Sequence, residues 1–226
     1  MAKSIIFVLT NHADLGTTGK KTGYWVSEVA HPYMHLRGKY NITFASPKGG
    51  ASPVDPGSLQ AHAQDPEVIA YLADPVAQNL IANTKVLSSL NPSDYDAIFY
   101  PGGHGPMYDL YSDSTSLEFC KHVYEQNKIV AALCHGPAGI VNVKLTDGTF
   151  MIKGKQVTGF ANTEEDAVQL SALMPFLLED QLKANGGVYF KAADWASKVV
   201  VDGRLVTGQN PASALDLAKK LEELLG

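Results

Sequence analysis

The stretch "AALCHGPAGI", residues 131–140, ends an apolar run with a cysteine and follows it with histidine, glycine and proline. Ala132 stands two residues before Cys134, and Gly136 two after it. Small residues around a nucleophile suit a sharp strand-to-helix turn, which brings backbones too close for larger side chains. Pro137 fits the first position of a following helix, where no amide hydrogen is needed. A thiol at a helix start feels the positive end of the helix dipole, so its ionisation is expected to be eased. The competing reading is a small apolar filler, the common fate of a free cysteine. Cys120 fits that second reading, because Leu117, Val123 and Tyr124 share its helix face.

His135 is adjacent to Cys134, but adjacency across a sharp turn does not make a dyad. It is nevertheless the last histidine of the chain. Hydrolases that place the nucleophile before a distant histidine are therefore excluded. Cys134 must use His135, an upstream histidine or a carboxylate. A second stretch, "YPGGHGPMYDL" (100–110), follows apolar strand material. Gly102 and Gly103 allow amides to point at an anion, as an oxyanion hole requires, although a glycine pair is also an ordinary tight turn. His104 either lines the same pocket or faces solvent. Glu28 lies among Tyr24, Trp25, Val26 and Val29. On a solvated face it would be inert. Turned inward, burial would raise its pKa and make it an acid/base group beside a thiol.

These residues need elements to hold them. "SIIFVLT" (4–10), "NITFASP" (41–47), the run ending at Tyr100 and "IVAALC" (129–134) read as strands. The last has no polar alternation, as in a parallel strand buried on both faces. Later strand material lies at 151–160 and 198–209. Helical patterns cover 24–39, with Pro32 as a bend, 76–90, 114–128 capped by Ser114 or Ser116, 174–187 closed by glycines, and 211–226. Residues 48–58 read as a loop. Strand–helix alternation predicts an α/β fold, a mainly parallel sheet with helices on both faces. In such sheets ligands sit at the carboxyl ends of the strands. Asn11-His12, Gly102-Gly103-His104 and Cys134-His135 all fall there.

With 226 residues, 45% of them hydrophobic, the chain is read as one domain spanning 1–226. The net charge is −5 and no basic cluster is present, so no nucleic acid partner is expected. No apolar run is long enough to span a membrane, and the first residues read as a strand and not a signal peptide. Two cysteines are no disulfide framework, which suits a reducing, cytoplasmic setting.

Five segments in order, "KTGYWVSEVAHPY", "PGGHGPMYDL", "AALCHGPAGI", "GKQVTGF" and "DGRLVTGQNPASA", resemble the DJ-1/PfpI superfamily and, within it, the Hsp31-like glutathione-independent glyoxalase III branch. The resemblance spans nearly the whole chain. It implies a flavodoxin-like α/β sandwich with a nucleophile elbow, no cofactor, a small 2-oxoaldehyde substrate such as methylglyoxal, a 2-hydroxy acid product and a homodimer. It places Cys134 as nucleophile, His135 as its partner and Glu28 as the acid at the thiol. Gly103 and the His135 backbone become oxyanion donors. The acid that orients His135 lies among Glu164, Glu165 and Asp166, and the offset from "TGF" favours Glu165. No ligand cluster stands out, so no metal is expected. Other members are described as holding chaperones or deglycases. Residues 48–58 and 107–112 are the segments expected to offer an apolar patch for holding. A peptidase or amidohydrolase and a cysteine redox sensor are the remaining readings.

Overall fold

The computed structural model describes residues 2–226. The strands are β1 (Ser4–Val8), β2 (Asn41–Ser46), β3 (Lys85–Val86), β4 (Ala97–Tyr100), β5 (Ile129–Leu133), β6 (Gln156–Val157), β7 (Val188–Tyr189), β8 (Val199–Asp202) and β9 (Leu205–Gly208). Among the described residues, seven form one sheet in the order β3-β2-β1-β4-β5-β9-β8, and β6 pairs with β7. All pairings in the large sheet are parallel except that of β8 with β9. β4 and β5 are buried at every position, which is why their sequences run apolar without alternation.

The helices are α1 (Val26–Leu36), α2 (Pro56–Ala61), α3 (Pro66–Ala73), α4 (Pro75–Ala82), α5 (Ser114–Glu125), α6 (Ala138–Val141), α7 (Asn162–Ala167), α8 (Leu178–Ala184) and α9 (Ala214–Leu225). The step from β1 through α1 to β2 goes one way along the sheet; that from β4 through α5 to β5 goes the other. Right-handed crossovers in opposite directions place α1 and α5 on opposite faces. α9 lies against α1 and against β5 and β9. It buries Leu217, Ala218, Leu221 and Leu225, a helical stripe in which each buried leucine is worth about 1.5–3 kcal/mol.

The reversal of direction falls between β1 and β4, and Tyr100 of β4 is level with Ala132 of β5. The segments after β4 and β5 therefore emerge side by side at the carboxyl edge, the place where open α/β sheets bind ligands.

Several local expectations are corrected. The helix expected over 76–90 stops at Ala82; strand β3 and a 3₁₀ turn follow. Helices α2 and α3 stand where no helix was read. Asp55, Asp65 and Asp74 each cap a helix whose first residue is proline, so Asp-Pro was the signal. The cap of α5 is Asp113, which accepts from the Ser116 amide, and neither Ser114 nor Ser116. Segments 48–58 and 107–112 offer no broad apolar patch, because Met107 and Leu110 are fully buried. Exposed apolar side chains sit instead at Ile69, Leu72 and Val76 on α3 and α4. Among the described residues no helix is long and apolar enough to cross a membrane.

Candidate active site

Cys134 follows β5 directly and has φ 60°, the left-handed region that non-glycine residues rarely occupy. Three backbone bonds hold this turn. The Cys134 amide donates to Gly208 at 2.9 Å, Phe160 donates to the Cys134 carbonyl at 2.8 Å, and Gly136 donates to Leu133 at 2.6 Å. A Cβ at Gly136 would lie 2.0 Å from the Tyr100 carbonyl oxygen, so the small residue after the nucleophile is required by β4. Pro137 precedes the first helical residue by one, and α6 has only four residues.

The sharp turn brings the His135 ring back beside the thiol. The Cys134 Sγ lies 3.4 Å from His135 Nδ1. On the far side of the ring, His135 Nε2 donates to Glu165 Oε2 at 2.6 Å. His104 Nε2 meets the other oxygen of Glu165 at 2.9 Å. Burial alone would raise the Glu165 carboxyl, but His135 and His104 outweigh it and hold it far below the usual carboxylate range. An ionised carboxylate only accepts, so Nε2 of His135 carries the hydrogen and Nδ1 presents its lone pair to the thiol. Burial, then neighbouring His104, push the His135 pKa down, against the pull of Glu165. The ring is therefore neutral at rest and able to take a proton.

Glu28 sits on the first turn of α1 and is fully buried. Its Oε2 accepts from the Gly102 amide at 2.8 Å. Its Oε1 is buried with no partner among the described residues. Burial pushes the carboxyl up to about 8, with the neighbouring Cys134 thiol and the Gly102 amide pulling the other way. Burial also pushes the Cys134 thiol up, and an ionised Glu28 pushes it further. The expectation of a thiol pKa lowered by a helix dipole is therefore corrected: a single-turn helix supplies little dipole, and the nearby carboxyls act the other way. When Glu28 is protonated the repulsion disappears.

The glycine pair divides its work. Gly102 spends its amide on Glu28, so within the glycine pair only the Gly103 amide is left free for an anion, with φ 90° and directed at Cys134. A Cβ on Gly102 would come within 2.7 Å of Glu28 Oε2, of the His135 nitrogen and of the Leu133 oxygen. Gly102 thus lets three segments meet. His104 is buried and stacks 4.2 Å from the His135 ring.

Of the acids after "TGF", Glu165 faces His135. Glu164 is also buried but turns away, accepting from the Ala161 and Trp195 amides and from Asn210 Nδ2. Asp166 accepts from the Ser171 hydroxyl at the surface. Asn11 and His12 stay outside: Asn11 ties to Gly49 and Lys48, and His12 stacks on Tyr108. Cys120 is buried in the core, as its helix face suggested.

Above Cys134 opens a small cleft lined by Trp25, Gly103, His104, His135 and an apolar wall that includes Phe160 and Trp195. Sequence reasoning missed these aromatic walls, which come from three distant loops and share no spacing. The expectation of no ligand cluster is also corrected. Atoms of His104, His135 and Glu165 that could ligate a metal lie within 4.8 Å of one another. Here each spends its capacity on the others, the carboxylate giving one oxygen to each ring.

The DJ-1/PfpI family model matches residues 27–224. The chain is 31% identical to Glyoxalase 3 of Candida albicans, over 97% of this chain and 96% of that one. It is likewise 31% identical to the glutathione-independent glyoxalase HSP31 of Saccharomyces cerevisiae, over 94% and 93%. Among solved structures, the Rapid Encystment Protein 24 KDa of Francisella tularensis superposes with a TM-score of 0.95 at 38% identity, covering 99% of both chains. Glyoxalase III of Candida albicans superposes with a TM-score of 0.90 at 30% identity, covering 99% and 97%. With the model spanning the elbow, the glycine pair and nearly all of the sheet, the chain belongs to the DJ-1/PfpI family.

Proposed function

We propose that this protein is a glutathione-independent glyoxalase of the glyoxalase III type, a lyase of the D-lactate dehydratase class. In this reading it converts methylglyoxal and related 2-oxoaldehydes to 2-hydroxy acids. The observation that carries the reading is the linear set Cys134 Sγ, His135 ring and Glu165 carboxylate at 3.4 and 2.6 Å, at the floor of a small cleft. Relatives named as glyoxalases, aligned over nearly the full chain, support it.

In the proposed reaction His135 Nδ1 takes the thiol proton and sulfur bonds to the aldehyde carbon. The carbonyl electron pair moves to oxygen, giving a hemithioacetal whose oxyanion is met by the Gly103 and His135 amides. The proton on the former aldehyde carbon then passes through a base to the neighbouring carbon by way of an enediol. His135, oriented by Glu165, and Glu28 are the groups placed for that transfer. The product of the shift is a thioester of the 2-hydroxy acid. Water cleaves its carbon–sulfur bond, releasing the acid and returning the proton to sulfur. One water is consumed, and no electrons enter or leave.

The same reading includes a reducing, cytoplasmic setting, supported by two free, buried cysteines, and a homodimer, testable by sedimentation. Purified protein incubated with methylglyoxal and no glutathione should release D-lactate, and Cys134→Ala should release none. Turnover that survives Cys134→Ala, or none from the intact protein, would refute the proposal.

A further inference from the structure

Two indoles stand at the mouth of the cleft, and each is fixed by a network that touches no reacting atom. Trp195 has φ 64°, a strained conformation for so large a residue. Its amide donates to Glu164 Oε1 at 2.9 Å. Glu164 is fully buried and also accepts from Asn210 Nδ2 at 2.8 Å and from the Ala161 amide at 3.0 Å. A buried carboxylate with three donors thus holds the backbone that presents Trp195. The Trp195 side chain remains 47% exposed and meets Phe160 edge-on at 5.9 Å.

Trp25 is held from the opposite direction. Its amide donates to the Gly102 carbonyl at 3.1 Å, tying it to the glycine pair. Its indole Nε1 donates to His62 Nε2 at 3.1 Å. His62 Nδ1 lies 3.5 Å from Asp65, the residue that caps α3. Phe160, Val168 and Pro211 complete the wall. Among the described residues no lysine, arginine, aspartate or glutamate lines the cleft.

Strain at a pocket mouth, held by a buried network, points to use of that residue. The two indoles line the same cleft as Cys134, so the ketone substituent of an aldehyde bonded to Sγ shares that cleft with them. We infer that Trp25 and Trp195 form an apolar clamp that selects 2-oxoaldehydes bearing a flat aromatic substituent over methylglyoxal and over charged analogues. The inference rests on the glyoxalase reading. A ring against indole walls gains aromatic contact and burial that a methyl group cannot.

The test compares kcat and KM for phenylglyoxal and methylglyoxal in wild type, Trp195→Ala, Trp195→Phe and Trp25→Phe, with folding checked by circular dichroism. In wild type, kcat/KM should favour phenylglyoxal by about tenfold or more, the scale on which apolar pockets discriminate. Trp195→Ala should reduce that ratio about tenfold, mostly through the KM for phenylglyoxal, and Trp195→Phe should retain most of it. Should Trp195→Ala fail to fold, the ratio in Trp25→Phe decides, because its loss of indole area should also lower the preference. A wild-type ratio near one, or a ratio unmoved by these variants, overturns the clamp and leaves the glyoxalase reading intact. No turnover of either aldehyde overturns the glyoxalase reading and the clamp with it.

Discussion

Replacing Glu28 with glutamine should make the protein more stable while nearly abolishing its activity. The carboxyl is fully buried and its pKa is raised by that burial from an ordinary 4.5 to about 8. A group whose folded pKa is raised binds its proton more tightly when folded. Its stabilising contribution is full below the unfolded pKa and is lost as pH rises through the folded value. Between pH 4.5 and 8 each unit therefore removes up to about 1.4 kcal/mol of stability. From pH 5 to pH 7 the loss from this one group is roughly 2–3 kcal/mol. Glutamine does not titrate, so Glu28→Gln escapes the loss. Its amide oxygen can still accept from Gly102, and its NH₂ replaces the Oε1 that now lacks a partner. Denaturant unfolding of both proteins at pH 5 and pH 7 reads the effect. The gap in favour of Glu28→Gln should widen by about 2 kcal/mol between the two pH values, because every other titrating group is common to both. Turnover of methylglyoxal should fall about 10²-fold or more, as expected when an acid/base group is removed. A gap that is the same at both pH values would show that Glu28 is not held protonated, and the assignment of its proton would fail.

Four further outcomes follow from the same geometry. Glu165→Gln should lower turnover about 10²–10⁴-fold, and adding His135→Ala should cost little more, since ring and carboxylate act as a unit; full additivity would separate them. Glu164→Gln should instead lower stability by about 1–3 kcal/mol, because one of its three donors must then face an NH₂ group, while a change at Asp166 should be nearly silent; thermal melts and turnover rates distinguish the three acids. Mass-mapped alkylation should label Cys134, which opens on the cleft, and spare Cys120, whose thiol burial pushes up to about 12; preferential labelling of Cys120 would reverse the assignment. Gly102→Ala should impair both folding yield and turnover, since its Cβ meets Glu28, His135 and Leu133 at 2.7 Å; a fully active, stable Gly102→Ala would refute the close approach.

Legibility in the sequence followed the range of the forces involved. The buried strands were readable because a parallel strand covered on both faces has no use for polar alternation, as in Ile129–Leu133. The elbow was readable because Gly136 has no room for a Cβ against the Tyr100 carbonyl, a local steric demand. The Asp-Pro caps of α2 to α4 were equally local and were passed over among the loop-forming glycines and prolines around them. What could not be read from spacing is what the sheet assembles across distance. Glu28 is 74 residues from Gly102, and His104 is 61 from Glu165, so their pairing depends on strand order. The family resemblance supplied Glu28 and favoured Glu165; spacing alone left both open. The aromatic walls of the cleft had no signal, because tryptophan at 25 and 195 is as compatible with a core as with a mouth.

The thiol is where local reading and assembled structure part. Sequence placed Cys134 before a helix and expected an eased ionisation. Yet α6 is a single turn, and the carboxyls of Glu28 and Glu164 both oppose a thiolate when charged. Only the Gly103 amide acts in its favour. The resting site therefore keeps both protons, one on a raised thiol and one on a raised carboxyl, because neither ionises cheaply in one buried volume. In the proposed reaction, activation then falls to the His135 ring, whose Nδ1 faces sulfur because Glu165 occupies the other nitrogen. In that proposal the thiolate forms as substrate arrives. The negative charge passes at once to an oxygen met by the Gly103 and His135 amides, and the imidazolium left behind lies against Glu165, already ionised. The same distribution explains why Glu28 must be buried. On the surface it would be a permanent anion beside the sulfur, whereas buried it is an acid that can lose and regain one proton near neutral pH.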